Sequence, residues 1–289
     1  MRYHISHSLN YSYSRSVFLE PLTVRLRPRC DSVQHVIQFK LDVVPTPDGI
    51  SEYIDQGSNN AATLWFSGQH RTLSLSATSE VEVLPVDPFN FIVTENNLLH
   101  LPVIYPQSCQ YELQPYLSRR CESSQIDDFI QPVIKETNGE TIPFLVRLAS
   151  QIHEQFDTVV REIGAPMAAE ETIARRKGAC RDLAVLFMES CRAVGLAARF
   201  VSGYRWSEDL DEKHRMHAWA EVYISGGGWR GFDPSTGGAV ADRHIAIATA
   251  ANPLNAAPIG GNFRGTGVDS KLQYDISIRL SQGIPKVDD

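Results

Sequence analysis

The hydrophobic pattern changes period near residue 125. Before that point apolar positions alternate with polar ones. Residues 2–13 do so loosely, and 22–27 (LTVRLR), 33–43 (VQHVIQFKLDV), 63–66 and 72–83 (TLSLSATSEVEV) more clearly. Turn formers cluster at 45–49, 56–60 and 67–68. Period-2 runs at this spacing predict an antiparallel, sandwich-like β domain over residues 1–120. Residues 85–125 hold Pro85, Pro88, Pro102, Pro106 and Pro115 and follow neither period, so they read as an irregular packed connection.

Helical spacing dominates next. In 141–156, Ile142, Leu145, Leu148, Ala149, Ile152 and Phe156 share one face. Residues 168–177 predict a short helix. Residues 180–194 predict a longer one, with Leu183, Leu186, Phe187, Ser190, Cys191 and Val194 in register and Gly195 at the C-cap. Strands follow at 197–205, 217–224, 229–233, 244–249 and 272–280. Helices followed by an antiparallel sheet make residues 121–289 an α+β core with a C-terminal β tail.

Composition narrows the partners. The chain has 289 residues, 43% of them hydrophobic, and a formal net charge of −7. A negative surface repels phosphate backbones, so nucleic acid is not an expected partner. Arg25, Arg27 and Arg29 share a strand face and read as a solvated sheet surface. No apolar run nears 18 residues, so no membrane partner is expected. The first residues, MRYHISHSLNYSYS, show no apolar signal core. The five cysteines are scattered without a CxxC pair, consistent with a reduced, cytoplasmic protein. His214 and His217 stand three apart, which on a strand puts them on opposite faces, so neither a metal nor another cofactor is expected. The glycine-rich stretch 260–267 lacks the GK[ST] of a phosphate loop and reads as surface.

Three residues carry candidate chemistry. Cys180 opens the helix 180–194, where unpaired N–H groups and the helix dipole favour an anionic sulfur and can hold an oxyanion. A lone cysteine there is more often packing, as Cys191 on the apolar face is. His217 shares a strand face with Trp219, Glu221 and Tyr223. If Ile224 pairs with Gly228 across a three-residue loop, Trp219 lies opposite Asp233 and His217 becomes the diagonal neighbour of that carboxylate. Cys180, His217 and Asp233 then form a nucleophile, base and orienter. Trp219, Tyr204 and Glu221 are candidate substrate-binding residues, and Asp182 fits a helix-capping role.

The segments GACRDLAVLFMESCRAVGLAARFVSGY, HAWAEVYI and GWRGFDPSTGG resemble the bacterial transglutaminase-like family, whose core is papain-like. The likeness is close over residues 180–238, and residues 2–83 resemble the β domain that precedes this core. Residues 244–265 resemble the family's tail, with Ala250-Ala251-Asn252 where Arg-Asp-Tyr is usual. The resemblance implies Cys180 as nucleophile, His217 as base then acid, and Asp233 as orienter. It implies amide-bond chemistry on a peptide or protein through a thioester. Hydrolysis by a cysteine peptidase or amidase is the leading expectation, acyl transfer to an amine the rival, and a non-catalytic binding module the third reading. Of the four tryptophans, Trp219 and Trp206 are placed to roof a water-excluding slot, while the polar stretch 207–213 reads as an open rim.

Overall fold

The computed structural model describes residues 1–120, 123–209 and 213–281. The chain begins with β1 (Arg2–Leu19), β2 (Leu22–Val24), β3 (Gln34–Val44), β4 (Gly49–Ile54), β5 (Asn60–Trp65) and β6 (His70–Val83). Along β1 the side chains of Tyr3, Ile5, His7 and Leu9 are buried at every second position. Such alternation buries one face of a strand and leaves the other wet.

Helices follow: α1 (Gln107–Leu117), α2 (Ser124–Glu136), α3 (Thr141–Gln155), α4 (Ala169–Arg175) and α5 (Cys180–Ala193). Two short strands, β7 (Asp157–Thr158) and β8 (Lys177–Gly178), pair in parallel just before α5. The remaining strands are β9 (Ala198–Arg205), β10 (Met216–Ile224), β11 (Gly228–Asp233), β12 (Gly238–Ala239), β13 (His244–Ala250), β14 (Ile259–Gly260), β15 (Phe263–Arg264) and β16 (Ser270–Leu280). No helix among the described residues is long and apolar enough to cross a membrane.

The first half forms the expected sandwich. One sheet runs β15-β1-β6-β3 with β16 also on β1, and the other runs β14-β2-β5-β4. Leu9, Leu73 and Leu75 of the first sheet meet Leu22, Val24 and Leu64 of the second in a common core. The last strand departs from expectation. Rather than ending the core as a tail, β16 pairs with β1 from Tyr3–Leu280 to Tyr13–Ser270. Alternation identifies a strand but not its partner, and β1 needs neighbours on both edges. The stretch 260–267 joins the sandwich too, through β14 on β2 and β15 on β1.

The core sheet runs β12-β11-β10-β9-β13, and α5 packs against β10 and β9. Leu183, Leu186, Phe187 and Cys191 of α5 have no exposed surface. Gly195 ends the helix at φ +83°, and a Cβ there would stand 2.2 Å from the Val103 carbonyl oxygen. That close approach and positive φ require glycine. Residues 85–125 are less irregular than their prolines suggest. Only Leu113 of α1 is buried, so that helix carries no apolar stripe to read. In α2 the stripe is present as Ile126, Phe129, Ile130 and Val133, but Pro132 interrupts it.

Two buried amides lock the sandwich to the core. Gln34 donates from Nε2 to the Ala246 carbonyl at 2.9 Å and accepts from the Ala246 N–H at 2.8 Å. Asn59 makes the same pair of hydrogen bonds with Thr249, donating to its carbonyl at 2.9 Å and accepting from its N–H at 2.7 Å. Each side chain satisfies strand groups of β13 as a neighbouring strand would. The joint sets the wall of the cleft described next.

Candidate functional site

Cys180 is the first residue of α5, with Ala179 as N-cap. First-turn amides have no acceptor within a helix, so the Cys180 N–H is available to an incoming oxygen. Asp182 holds this end in place. Its Oδ2 accepts from the Ala179 N–H at 2.8 Å, and its Oδ1 accepts from the Met167 N–H at 2.8 Å and from Arg161 at 2.5 Å. The capping role expected of Asp182 is thus extended: it also ties the loop after β7 to the helix. The β7–β8 pairing and a 3.0 Å bond from the Val159 N–H to the Gly178 carbonyl fix the same loop.

The hairpin has the register expected of it. Ile224 pairs with Gly228, and Ala220 with Phe232. The His217 Nε2 lies 2.7 Å from the Asp233 Oδ2. The Cys180 side chain lies close enough to the His217 imidazole to raise its pKa, so the ring stands between sulfur and carboxylate. Nδ1 is the ring nitrogen left for the sulfur side. The structure therefore brings Cys180, His217 and Asp233 together.

Their electrostatics follow from burial and pairing. Burial alone would lower the imidazole of His217. The charge and hydrogen bond of Asp233, helped by the Cys180 sulfur, outweigh it and push His217 up to about 10. Burial would raise Asp233, which has no exposed surface. His217 and His244 instead hold it well below the usual carboxylate range. At neutral pH the pair is imidazolium and carboxylate.

Two contacts on Asp233 were not legible in the sequence. Ser235 donates to Oδ1 from its backbone N–H at 3.0 Å and from its hydroxyl at 2.7 Å. His244 places Nε2 3.1 Å from Oδ2. Burial lowers the His244 imidazole, with Asp233 opposing, so it stays neutral and donates its N–H. His244 reaches the site across β9 because Gly203 stands between. A Cβ on Gly203 would lie 2.7 Å from the Trp219 ring and 2.2 Å from the Ile245 carbonyl oxygen. Ser235 follows Pro234 directly, and its proximity in sequence is the one signal that could have pointed to it.

His217, Asp233 and His244 also present ligand atoms within 4.8 Å of one another, a grouping able to hold a metal. Their 2.7 and 3.1 Å separations are hydrogen-bond lengths. A tetrahedral site with bonds of about 2.1 Å has ligand edges of roughly 3.4 Å, so these residues fit a proton-linked chain better than a metal set.

The candidate substrate residues lie elsewhere. Trp219 is 1% exposed and sits beneath the site, its ring centroid 5.2 Å from His244 and 6.3 Å from His217. Sharing a strand face with His217 placed it near the site but inside the packing. Tyr204 is also buried, its hydroxyl 2.9 Å from the His7 Nδ1. Glu221 is paired with Arg199 at 2.6 Å, away from the cleft. None of the three lines the opening over Cys180. That opening is a cleft of about 390 Å³. One wall is the core, with Cys180, His217, residues 158–162 and Ser235. The other is the sandwich, with His7, Leu9 and Tyr11 of β1 and Leu272 and Tyr274 of β16. Trp206 packs on Tyr3 at 6.0 Å and is not among the lining residues. Within the rim stretch 207–213, positions 210–212 lie outside the described residues.

Comparison with known proteins agrees with this architecture. Residues 3–82 match the bacterial transglutaminase-like N-terminal region, and residues 128–234 match the transglutaminase-like superfamily core. An uncharacterized protein of Mycobacterium tuberculosis is 26% identical over 297 residues, covering 98% of this chain and 94% of the relative. One from Mycobacterium leprae is 23% identical over 288 residues, covering 97% and 99%. A crystal structure from Cytophaga hutchinsonii, provisionally described as a cysteine protease, superposes with a TM-score of 0.71 at 22% identity, covering 100% of this chain and 94% of that one. It shares the fold over both halves.

Proposed function

We propose that this chain, which belongs to the bacterial transglutaminase-like family, is a cysteine-dependent peptidase or amidase that works through a thioester. The observation that carries the reading is the chain of contacts from Cys180 through His217 to Asp233, at the mouth of a cleft large enough for a peptide.

The reaction follows from the groups present. The Cys180 Sγ attacks the amide carbonyl carbon as a thiolate, its proton having passed to the His217 Nδ1. The carbonyl oxygen takes the electron pair and is received by the Cys180 N–H. As the carbon–nitrogen bond breaks, imidazolium gives its proton to the departing amine. Water then loses a proton to His217 and attacks the thioester. The carbon–sulfur bond breaks, the acid leaves and the thiol is restored. Asp233 keeps the ring oriented and stabilises its charge, while Ser235 and His244 hold Asp233.

Hydrolysis is favoured over transfer to an amine by the lining of the cleft. An amine can compete only if water is kept from the thioester. Among the described residues no tryptophan lines this cleft, and its rim includes the exposed Lys213 and Glu162. The test is to form the acyl-enzyme with a reactive acyl donor in millimolar primary amine and compare free acid with amide. Mostly free acid is expected. Amide as the main product would replace the hydrolase with a transferase.

A further inference from the structure

The chain carries a net charge of −7, but the described residues that line the cleft beside Cys180 carry the opposite sign. Among the described residues, five cations line it, Arg161, Arg181, Arg205, Lys213 and Arg215, against one carboxylate, Glu162. Arg161 is committed to Asp182 at 2.5 Å. Lys213 and Arg215 flank one phenol, Tyr274, and Arg181 is near enough to feel its charge; among the described residues none of the three forms an ion pair with a carboxylate. Lys213 Nζ lies 5.4 Å from the centre of the Tyr274 ring. Arg215 lies near enough to the Tyr274 phenol to lower its pKa, and donates to the Lys213 carbonyl at 3.2 Å. Arg181 donates to the Ile163 carbonyl at 3.0 Å. None of these contacts is to a carboxylate.

The guanidinium groups are also incompletely satisfied. The Nε atoms of Arg181 and Arg215 are buried without a hydrogen-bond partner. Burial, then the like charge of Arg161, lowers Arg181 from its ordinary value, with the already paired Asp182 only partly opposing. Collecting cations in a partly dry cleft is unfavourable unless an anion arrives there. Glu162 does not fill that place, because it is exposed and accepts a bond from the Tyr274 hydroxyl at 3.2 Å.

We propose that this cleft selects acidic peptide amides, with Arg181, Lys213 and Arg215 around Tyr274 receiving a carboxylate close to the scissile bond. The proposal rests on the amide-chemistry reading above. Arg181 follows Cys180 in the chain, and an extended substrate spans about 3.3–3.6 Å per residue. The carboxylate therefore belongs within about two residues of the reacting carbonyl. Leu9, Val159, Ile259 and Leu272 line the same cleft and offer apolar surface to the peptide between its charges. A polyanion such as nucleic acid would meet the negative remainder of the protein, whereas a short acidic peptide meets only the cleft. Tyr274 comes from β16, so the sandwich supplies part of the specificity site.

The experiment uses labelled peptide amides in pairs that differ only as Glu or Gln, at each of two positions on either side of the scissile bond. Turnover is measured with the full chain, and binding by fluorescence anisotropy with its Cys180→Ala variant. At one or more positions the Glu member should show about tenfold higher kcat/KM and tighter binding. The ratio should fall toward unity in about 0.5 M salt. The Lys213→Glu/Arg215→Gln variant should lose or invert the preference, with iodoacetamide labelling of Cys180 reporting that the site is still folded. Equal or better handling of Gln peptides at every position overturns the proposal, as does tighter binding of a single-stranded oligonucleotide. Turnover without Glu preference sinks this inference alone. Glu-selective binding without turnover sinks the amide reading and leaves the charge selection standing. Neither binding nor turnover overturns both.

Discussion

Helix α5 carries two cysteines whose surroundings differ in almost every respect. Cys180 begins the helix, is half-buried, lines the cleft and lies beside an imidazole. Cys191 lies near the other end with no exposed surface, packed in the hydrophobic core. Burial pushes the Cys191 thiol well above its ordinary value, with Arg192 only partly opposing. One helix and one residue type thus give a sulfur sealed in the core and a sulfur open to a cleft beside an imidazole. What separates them is neither propensity nor helix face, but the strand hairpin that delivers His217 and Asp233 to one end of α5.

The largest expected contrast is in turnover. Cys180→Ala should lower kcat at least about 10⁴-fold with the fold intact. Cys191→Ala should leave kcat within about twofold and instead cost on the order of 1 kcal/mol of stability through lost packing. Steady-state kinetics and chemical denaturation read the two effects separately. Comparable loss of kcat in both variants would erase the distinction.

The next contrast lies in the partners. His217→Ala should reduce kcat/KM by about 10²–10⁴-fold, the usual contribution of a positioned base. It should also slow iodoacetamide labelling of Cys180 toward the rate of exposed Cys30, while Cys191 stays unlabelled in the native protein. Unchanged labelling of Cys180, followed by peptide mass spectrometry, would show that the imidazole does not activate it.

Charge coupling gives the hairpin end a pH signature that the Cys191 end lacks. His217 is raised from 6.5 to about 10, so its contribution to stability is complete below pH 6.5 and is lost as pH climbs through about 10. Asp233 is depressed from 3.8, so its contribution is present above that value and is lost as acid protonates the folded carboxylate. The stability advantage of the native protein over Asp233→Asn should therefore be greatest between about pH 4 and 6.5 and shrink toward pH 10. Tm measured across that range checks the sign. An advantage that grew with alkaline pH would contradict the raised imidazole. A more local effect belongs to Ser235→Ala, which removes one hydroxyl bond to Asp233 but keeps the backbone bond. It should cost about 1.5 kcal/mol, the lower range for bonds to charged groups, with little change in kcat.

The same contrast explains what could be read in advance. Helix α5 and its apolar positions follow from spacing, and the loop length between β10 and β11 decides which face Asp233 takes. The Cys180, His217 and Asp233 set was legible because each member lies on a local pattern. His244 was not, since it depends on β13 pairing with the far side of β9 and on Gly203 leaving room. Trp219 was placed on the right strand face and the wrong side of the surface. Alternation states which residues share a face, not how deep that face lies. Tyr204 and Glu221 failed for a related reason, each being used by a partner distant in sequence, His7 and Arg199. The position of β16 could not be read from its own residues, because strand partners separated by most of the chain leave no local trace.

The acylation of Cys180 is expected to depend on His217 and Asp233 making it the reactive sulfur of the chain. Its most direct measurement is intact-protein mass spectrometry after rapid mixing with an activated ester and acid quench, with peptide mapping of the modified residue. One acyl group per chain is expected, on Cys180, formed quickly in the native protein, slowly in His217→Ala and not in Cys180→Ala. Acylation spread over Cys30 and Cys109, or a Cys180 adduct formed equally fast without the imidazole, would contradict it.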